Sequence, residues 1–173
     1  LPRGWFPFVT PGTKFVTLGG MAATDVHGKN HHSEGSFVQH IDWVDLMIPD
    51  GRIRRCSRQK NAELFHWTIG GMGLTGIILT IAFRLRKVDT SWIRQKTIAA
   101  QNLHAAIDVF EQTLSSTYAV AWIDCLSRGR HLGRSLIRLG EHAQTDDLPD
   151  ERQMSPFDIT RKKSITVPFK LPS

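Results

Sequence analysis

The stretch from Gly19 to His32 constrains this chain more than any other. It opens on Gly19-Gly20, passes through small residues, and ends in Asp25-Val26-His27-Gly28-Lys29-Asn30-His31-His32, a dense polar string with little aliphatic bulk. Such a segment makes a poor core element. Paired glycines let a backbone approach a ligand closely, so the stretch suits the wall of a planar, anionic ligand. A second glycine-rich turn, Gly70-Gly71-Met72-Gly73-Leu74-Thr75-Gly76, feeds the apolar pair Ile77-Ile78. The two turns are expected to present two backbone surfaces to one ligand.

The 173 residues suffice for one domain or for pieces of two. Apolar residues make up 40% and charged residues 22%, an ordinary globular balance. The longest apolar runs stop well short of a bilayer span, since the run beginning at Ile77 ends at Arg84. Leu1-Pro2-Arg3-Gly4-Trp5 has neither the charged nor the apolar region of a signal peptide. That start and the Lys170-Leu171-Pro172-Ser173 end read as the cut edges of a longer protein. A net charge of +6 favours anionic partners. Cys56 and Cys125 have no metal-binding or redox spacing and read as thiols of a reducing compartment.

Patterning predicts an α+β fold with strands at residues 14–18, 37–48, 52–56, 77–88, 118–123 and 164–169. Pro49-Asp50-Gly51 is read as a hairpin turn, and Arg84 and Arg86 as the solvent side of their strand. Asn61 is read as an N-cap, and Leu103, Ile107, Phe110 and Leu114 as the apolar stripe of a helix over residues 101–115. The change in character near residues 88–91 predicts a domain boundary there.

Several chemistries are disfavoured. His27 and His31 stand four apart, but Gly28 and Asn30 interrupt a helix and no Glu occupies the metalloprotease position, so no metal site is assigned. Gly71 to Gly76 satisfies G-x-G-x-x-G literally but precedes a strand and lacks the later acidic residue, so it reads as a tight turn. No G-x-S-x-G elbow is present, and the Trp122-Ile123-Asp124-Cys125 string reads as core. Arg52, Arg54, Arg55, Arg58 and Lys60 read as a solvated strand edge. Arg128, Arg130, His131 and Arg134 face a phosphate-bearing ligand or line a solvated loop. The competing function is a basic, non-catalytic module for nucleic acid or anionic membrane.

Pro11-Gly12-Thr13, Val16-Thr17-Leu18-Gly19-Gly20, the Asp25–His32 string and Gly35-Ser36-Phe37 resemble the PCMH-type FAD-binding domain of the vanillyl-alcohol-oxidase superfamily. Within it the His-Gly-Lys-Asn-His-His string is most similar to decaprenylphosphoryl-ribose 2′-oxidase-like, or aldonolactone-oxidase-like, proteins. Ala62-Glu63-Leu64-Phe65 and Gly70 to Ile78 follow in the family's order, and residues 118–124 and 131–134 resemble the opening of its substrate domain. The resemblance implies the second half of an FAD-binding domain over residues 1–88 and the start of an α+β substrate domain over 89–173. It implies FAD contacts at Gly12, Thr17, Leu18, Gly19, Gly20, Thr24, Asp25, Val26 and His27. It also implies contacts at Gly76 and at Ile78, the latter against the adenine half.

His27 and Lys29 would face the substrate as the catalytic pair. A flavin that oxidises a carbinol takes a hydride while a base takes the hydroxyl proton. His27 either assists that transfer or positions flavin or substrate. Lys29 either holds negative charge on reduced flavin or a substrate phosphate, or stands solvated. The implied substrate is a sugar, a sugar lactone or a polyprenyl-phosphate sugar. The implied setting is cytoplasmic, at the inner face of the plasma membrane, with a reductase partner for a two-step epimerisation and no nucleic acid. The family's upstream pyrophosphate loop and its downstream pocket segment are absent, and Val120 stands where relatives carry a small hydroxyl residue. The 173-residue chain alone is therefore expected to bind FAD weakly or not at all, and flavin absorbance that survives its purification would contradict this.

Overall fold

A computed structural model of the chain describes residues 1–159, so the strand expected over 164–169 lies outside the described residues. In chain order the strands are β1 (Trp5–Pro7), β2 (Ile41–Met47), β3 (Ile53–Cys56), β4 (Ile77–Phe83), β5 (Leu85–Lys87), β6 (Ile93–Ala100), β7 (Tyr118–Ile123) and β8 (Ser135–His142). The helices are α1 (Leu18–Ala23), α2 (His31–Glu34), α3 (Ala62–Thr68), α4 (Leu103–Gln112) and α5 (Asp150–Gln153). All strand pairing is antiparallel, in a β1-β5 ribbon and two three-stranded sheets ordered β3-β2-β4 and β6-β8-β7. Helix and antiparallel sheet are mixed without βαβ alternation, as an α+β reading requires.

The first sheet forms because β2 is apolar on the side that meets α1 and α3. Phe37, Ile41, Val44 and Leu46 are fully buried with Val9 and Cys56, and Met21, Ala22 and Phe65 close the cluster. Burial of Phe37, Ile41 and Leu46 contributes about 1.5–3 kcal/mol each. Pro49-Asp50-Gly51 makes the expected hairpin, with Gly51 at φ +81° and the Arg52 amide donating to Asp50 Oδ1 at 2.9 Å. β3 is one edge of the sheet, and its Arg54 and Arg55 are exposed as expected. The second sheet carries α4 on one face, where Ala105, Ala106, Val109 and Phe110 pack on Ile98, Ala100, Ala119, Ala121, Ile137 and Leu139. Alanines on both sides bring helix and sheet close together. Asn102 caps α4, its Oδ1 accepting from the Ala105 amide at 3.0 Å.

Several local expectations are corrected. Residues 14–18 form no strand. Thr17 is extended and caps α1 instead, its Oγ1 accepting from the Gly20 amide at 3.0 Å, so Gly19-Gly20 is the helix's first turn. Phe37–His40 is a 3₁₀ turn, and the strand begins only at Ile41.

The run over 77–88 breaks at Arg84, whose amide donates to the His40 carbonyl, and its second part pairs with β1. Arg86 therefore does not face solvent: it pairs with Glu34 and lies over the Phe8 ring at 4.5 Å. Asn61 does occupy the N-cap position of α3, its carbonyl accepting from the Phe65 amide, but in a left-handed conformation and with its side chain turned away, Nδ2 donating to the Arg55 carbonyl. Trp122, Ile123 and Cys125 are exposed rather than core, and so are Leu103, Ile107 and Leu114 of the predicted stripe.

Gly76 has φ +146°, and a Cβ there would overlap the Met47 carbonyl oxygen, so β4 lies flush on β2 only because this residue has no side chain. Gly12 has open space around its Cβ position. Gly76→Ala is expected to lower unfolding stability by about 1–3 kcal/mol in a urea titration, whereas Gly12→Ala leaves it within experimental scatter.

Candidate functional site

The polar string 25–32 is held rigidly at both ends. At its start Asp25 adopts φ +41°, an unfavourable backbone for a non-glycine residue. Its carboxylate offsets that cost by accepting from Ser36 Oγ and from the Val38 amide, both at 2.8 Å. At its end Asn30 is fully buried and donates from Nδ2 to the Phe8 carbonyl at 2.7 Å. Gly28 lies against residue 10: a Cβ would stand 2.7 Å from the Thr10 oxygen. Between these anchors the His27 and Lys29 side chains are exposed, and the His27 ring meets His31 edge-on at 5.3 Å.

The string also docks onto the second sheet. The Lys29 carbonyl accepts from the Ala119 amide at 2.9 Å, and His32 Nε2 donates to the Ser116 carbonyl at 2.8 Å. Lys29 consequently borders two clefts. One, of about 490 Å³, runs between the histidines and the α4 side of the sheet, reaching Phe110 and Leu114. The other, of about 420 Å³, opens on the opposite sheet face, where Thr10 and Lys29 confront Gln95, Tyr118, Val120, Trp122, Arg138 and His142. Tyr118 Oη and His142 Nε2 share a hydrogen bond of 3.0 Å. Burial pushes the Tyr118 phenol pKa up and the His142 imidazole pKa down, and the Arg86 charge also pushes His142 down.

The expected cofactor residues divide into two groups. Gly12, Thr17, Leu18, Gly19 and Gly20 lie on a strip that other parts of the chain leave uncovered: Phe15 is 86% exposed, with Val16 and Leu18 also exposed. The Leu18 and Gly19 amides precede the first intrahelical bond of α1, as those of any helix start do. Thr24, Asp25 and Val26 are different, because their amides already donate to the Gly20, Ala22 and Met21 carbonyls. Gly76 and Ile78 are held by the fold, Ile78 against the first core and opposite Leu46.

The two glycine-rich turns do meet, but they bond to each other. The Gly70 and Met72 amides donate to the Ala22 and Ala23 carbonyls and so close the end of α1. Tyr118, Gln95, Arg138 and His142 join the site although no motif announced them. Only the basic residue count near Arg138 and the Tyr118 opening of the second-domain string gave any sign.

Residues 1–57 match the FAD binding domain family. Over its whole length the chain is 36% identical to decaprenylphosphoryl-beta-D-ribose oxidase of Mycolicibacterium smegmatis, covering 38% of that protein. It is also 36% identical over 99% of its length to an uncharacterized protein in the mprA 5′ region of Streptomyces coelicolor, covering 46% of it. Cytokinin dehydrogenase 5 of Arabidopsis thaliana is 28% identical over 54% of this chain and is covered to 17%. The chain thus spans less than half the length of these relatives.

The uncovered strip fits FAD: the exposed Phe15 ring with Val16 and Leu18 beside it suits an aromatic ring system, and Gly12 leaves its approach open. Among the described residues no helix is long and apolar enough to cross a membrane.

Asp25→Ala removes both bonds that hold the left-handed residue. It is expected to cost about 2–4 kcal/mol in urea unfolding, while Asp25→Asn, which keeps an acceptor and tolerates that conformation, loses less than half as much. An FAD binding domain match over the first third thus joins a similarity along the full length to part of a decaprenylphosphoryl-beta-D-ribose oxidase.

Proposed function

We propose that this chain forms one side of the active site of an oxidase that removes two electrons from a sugar CH–OH group, with a polyprenyl-phosphate sugar as the substrate class. Residues 1–88 are its FAD-binding part and residues 89–173 the start of its substrate domain. The observation that carries this reading is the position of Lys29. Exposed on the string next to His27, it borders the cleft with the histidines and at the same time lines the cavity on the second sheet. When bound, FAD supplies the hydride acceptor.

The chain's own residues do the remainder. Gly12 to Gly20 carry the cofactor, and His27 and Lys29 border both cofactor and substrate. Lys29 and Arg138 place two cations around one cavity, a charge arrangement suited to a substrate phosphate. Trp122 and its cross-strand partner Leu136 continue from the cavity as an exposed apolar bench that suits a prenyl chain. The exposed His27 imidazole offers a nitrogen able to hold or accept the hydroxyl proton. The relative from Mycolicibacterium smegmatis, named for a decaprenylphosphoryl ribose, supports this choice of substrate. Peripheral attachment to the inner face of the plasma membrane and a reductase partner belong to the same proposal.

The basic-module alternative has no comparable support. Arg55 lies over Trp43 at 3.7 Å and is bonded to Asp45, and Arg58 donates to the Ile41 and Val38 carbonyls. Those cations brace the fold.

The test is anaerobic bleaching of the flavin in the full-length protein carrying this chain, with polyprenylphosphoryl ribose as reductant. Bleaching is expected, and Lys29→Met should lower kcat/KM about 10- to 100-fold with the flavin retained. A colourless protein after reconstitution, or a yellow one that no sugar or prenyl sugar reduces, defeats the proposal.

A further inference from the structure

Tyr118 is the chain's single tyrosine, and it sits where the cavity is deepest in titratable groups. It begins β7 on the face away from α4, directly opposite Gly140 on β8. A Cβ at Gly140 would stand 3.5 Å from Tyr118 Cβ and 3.0 Å from Ile93 Cγ2, so the bare backbone there leaves room for the ring to cross β8. The ring then reaches His142, with ring centroids 5.5 Å apart and Oη 3.0 Å from Nε2. On its other side His142 meets the Phe6 ring edge-on at 5.8 Å, so β1 confines the imidazole. Both partners line the cavity, and neither is otherwise required for the sheet's backbone pairing.

We infer that Tyr118 is the residue that reads a sugar hydroxyl in this cavity, and that His142 is the positioning residue that aims its phenol. This rests on the sugar-oxidase reading above and adds a specificity element to it. A phenol is both donor and acceptor, as is a carbinol, so the pair matches a hydroxyl-bearing ligand better than a carboxylate or an apolar one. Whichever way the proton lies between Oη and Nε2, the phenol keeps a second hydrogen-bonding direction for the ligand. The pair's surroundings hold it neutral. Burial acts on both groups, Arg86 on β5 faces them with Glu34 on α2 and Glu141 on β8, and Lys29 and Arg138 share the cavity. A neutral pair leaves phosphate binding to the two cations and hydroxyl recognition to itself.

The test uses the full-length, FAD-loaded protein and a short-chain polyprenylphosphoryl ribose with its 2-deoxy and 3-deoxy analogues. Affinity is read by quenching of tryptophan fluorescence, which needs no turnover because Trp122 lines the cavity. Tyr118→Phe is expected to weaken the ribosyl ligand about tenfold and to leave one deoxy analogue unaffected, the one lacking the hydroxyl it reads. His142→Leu should produce a smaller penalty with the same analogue dependence, rescued by His142→Gln. If Tyr118→Phe does not fold, the analogue series on His142→Leu decides alone. An equal penalty on every analogue, or none, overturns the inference. Hydroxyl-dependent binding without flavin bleaching upholds it while defeating the oxidase reading. Bleaching with an analogue-independent penalty does the reverse, and absence of binding by every ligand overturns both.

Discussion

The hydrogen bond from the Ala119 amide to the Lys29 carbonyl joins the polar string of the first core to the second sheet. It can form only because the polar string is already rigid on the first core. Asn30 is pinned to Phe8, Gly28 lies flush on Thr10, and Asp25 braces the turn from the other end. A loose string would lose conformational entropy on docking, which one backbone hydrogen bond scarcely offsets. Because that cost is met within the first core, the second sheet can dock on a surface that is already shaped.

The same economy explains why the junction is polar. Arg86 lies between Phe8 and Glu34, and His40 stacks on Phe8 with ring planes 1° apart at 4.6 Å. A charge this sheltered needs a partner, and Glu34 supplies it. Both residues border the segment that carries the histidines. The ion pair therefore ties the β1-β5 ribbon to α2 and holds the string from beneath, leaving His27 and Lys29 free at the surface.

Much of the architecture was legible because it rests on local rules. The hairpin at Asp50-Gly51, the Leu103–Gln112 helix and the Tyr118–Ile123 strand follow from turn chemistry and periodicity. The G-x-G-x-x-G run was rightly read as a turn. Residues 14–18 misled because β-branched and aromatic content imitates a strand, whereas Thr17 had a nearer use for its hydroxyl in capping α1. Exposed Trp122 and Ile123 misled for a related reason: β-propensity says that a strand exists, not which of its faces is covered. The resemblance nominated Thr24 to Val26 as cofactor contacts, but it could not reveal that their amides were already committed to α1.

By itself the sequence determined the chemical inventory: a glycine-rich, imidazole- and amine-bearing segment with the pattern of an FAD-binding domain, and a second region with one helix and the Tyr118–Ile123 strand, but not the neighbouring strands β6 and β8. These follow from residue type and near-neighbour spacing, which local physics reads directly. Only the tertiary structure decided that Lys29 stands between two clefts, that Arg86 is sheltered, and that Tyr118 and His142 share a hydrogen bond across a glycine. Such pairings join residues far apart in the chain. They depend on strand register and on which sheet face is left open, quantities set by the packing of the whole molecule and written in no single segment.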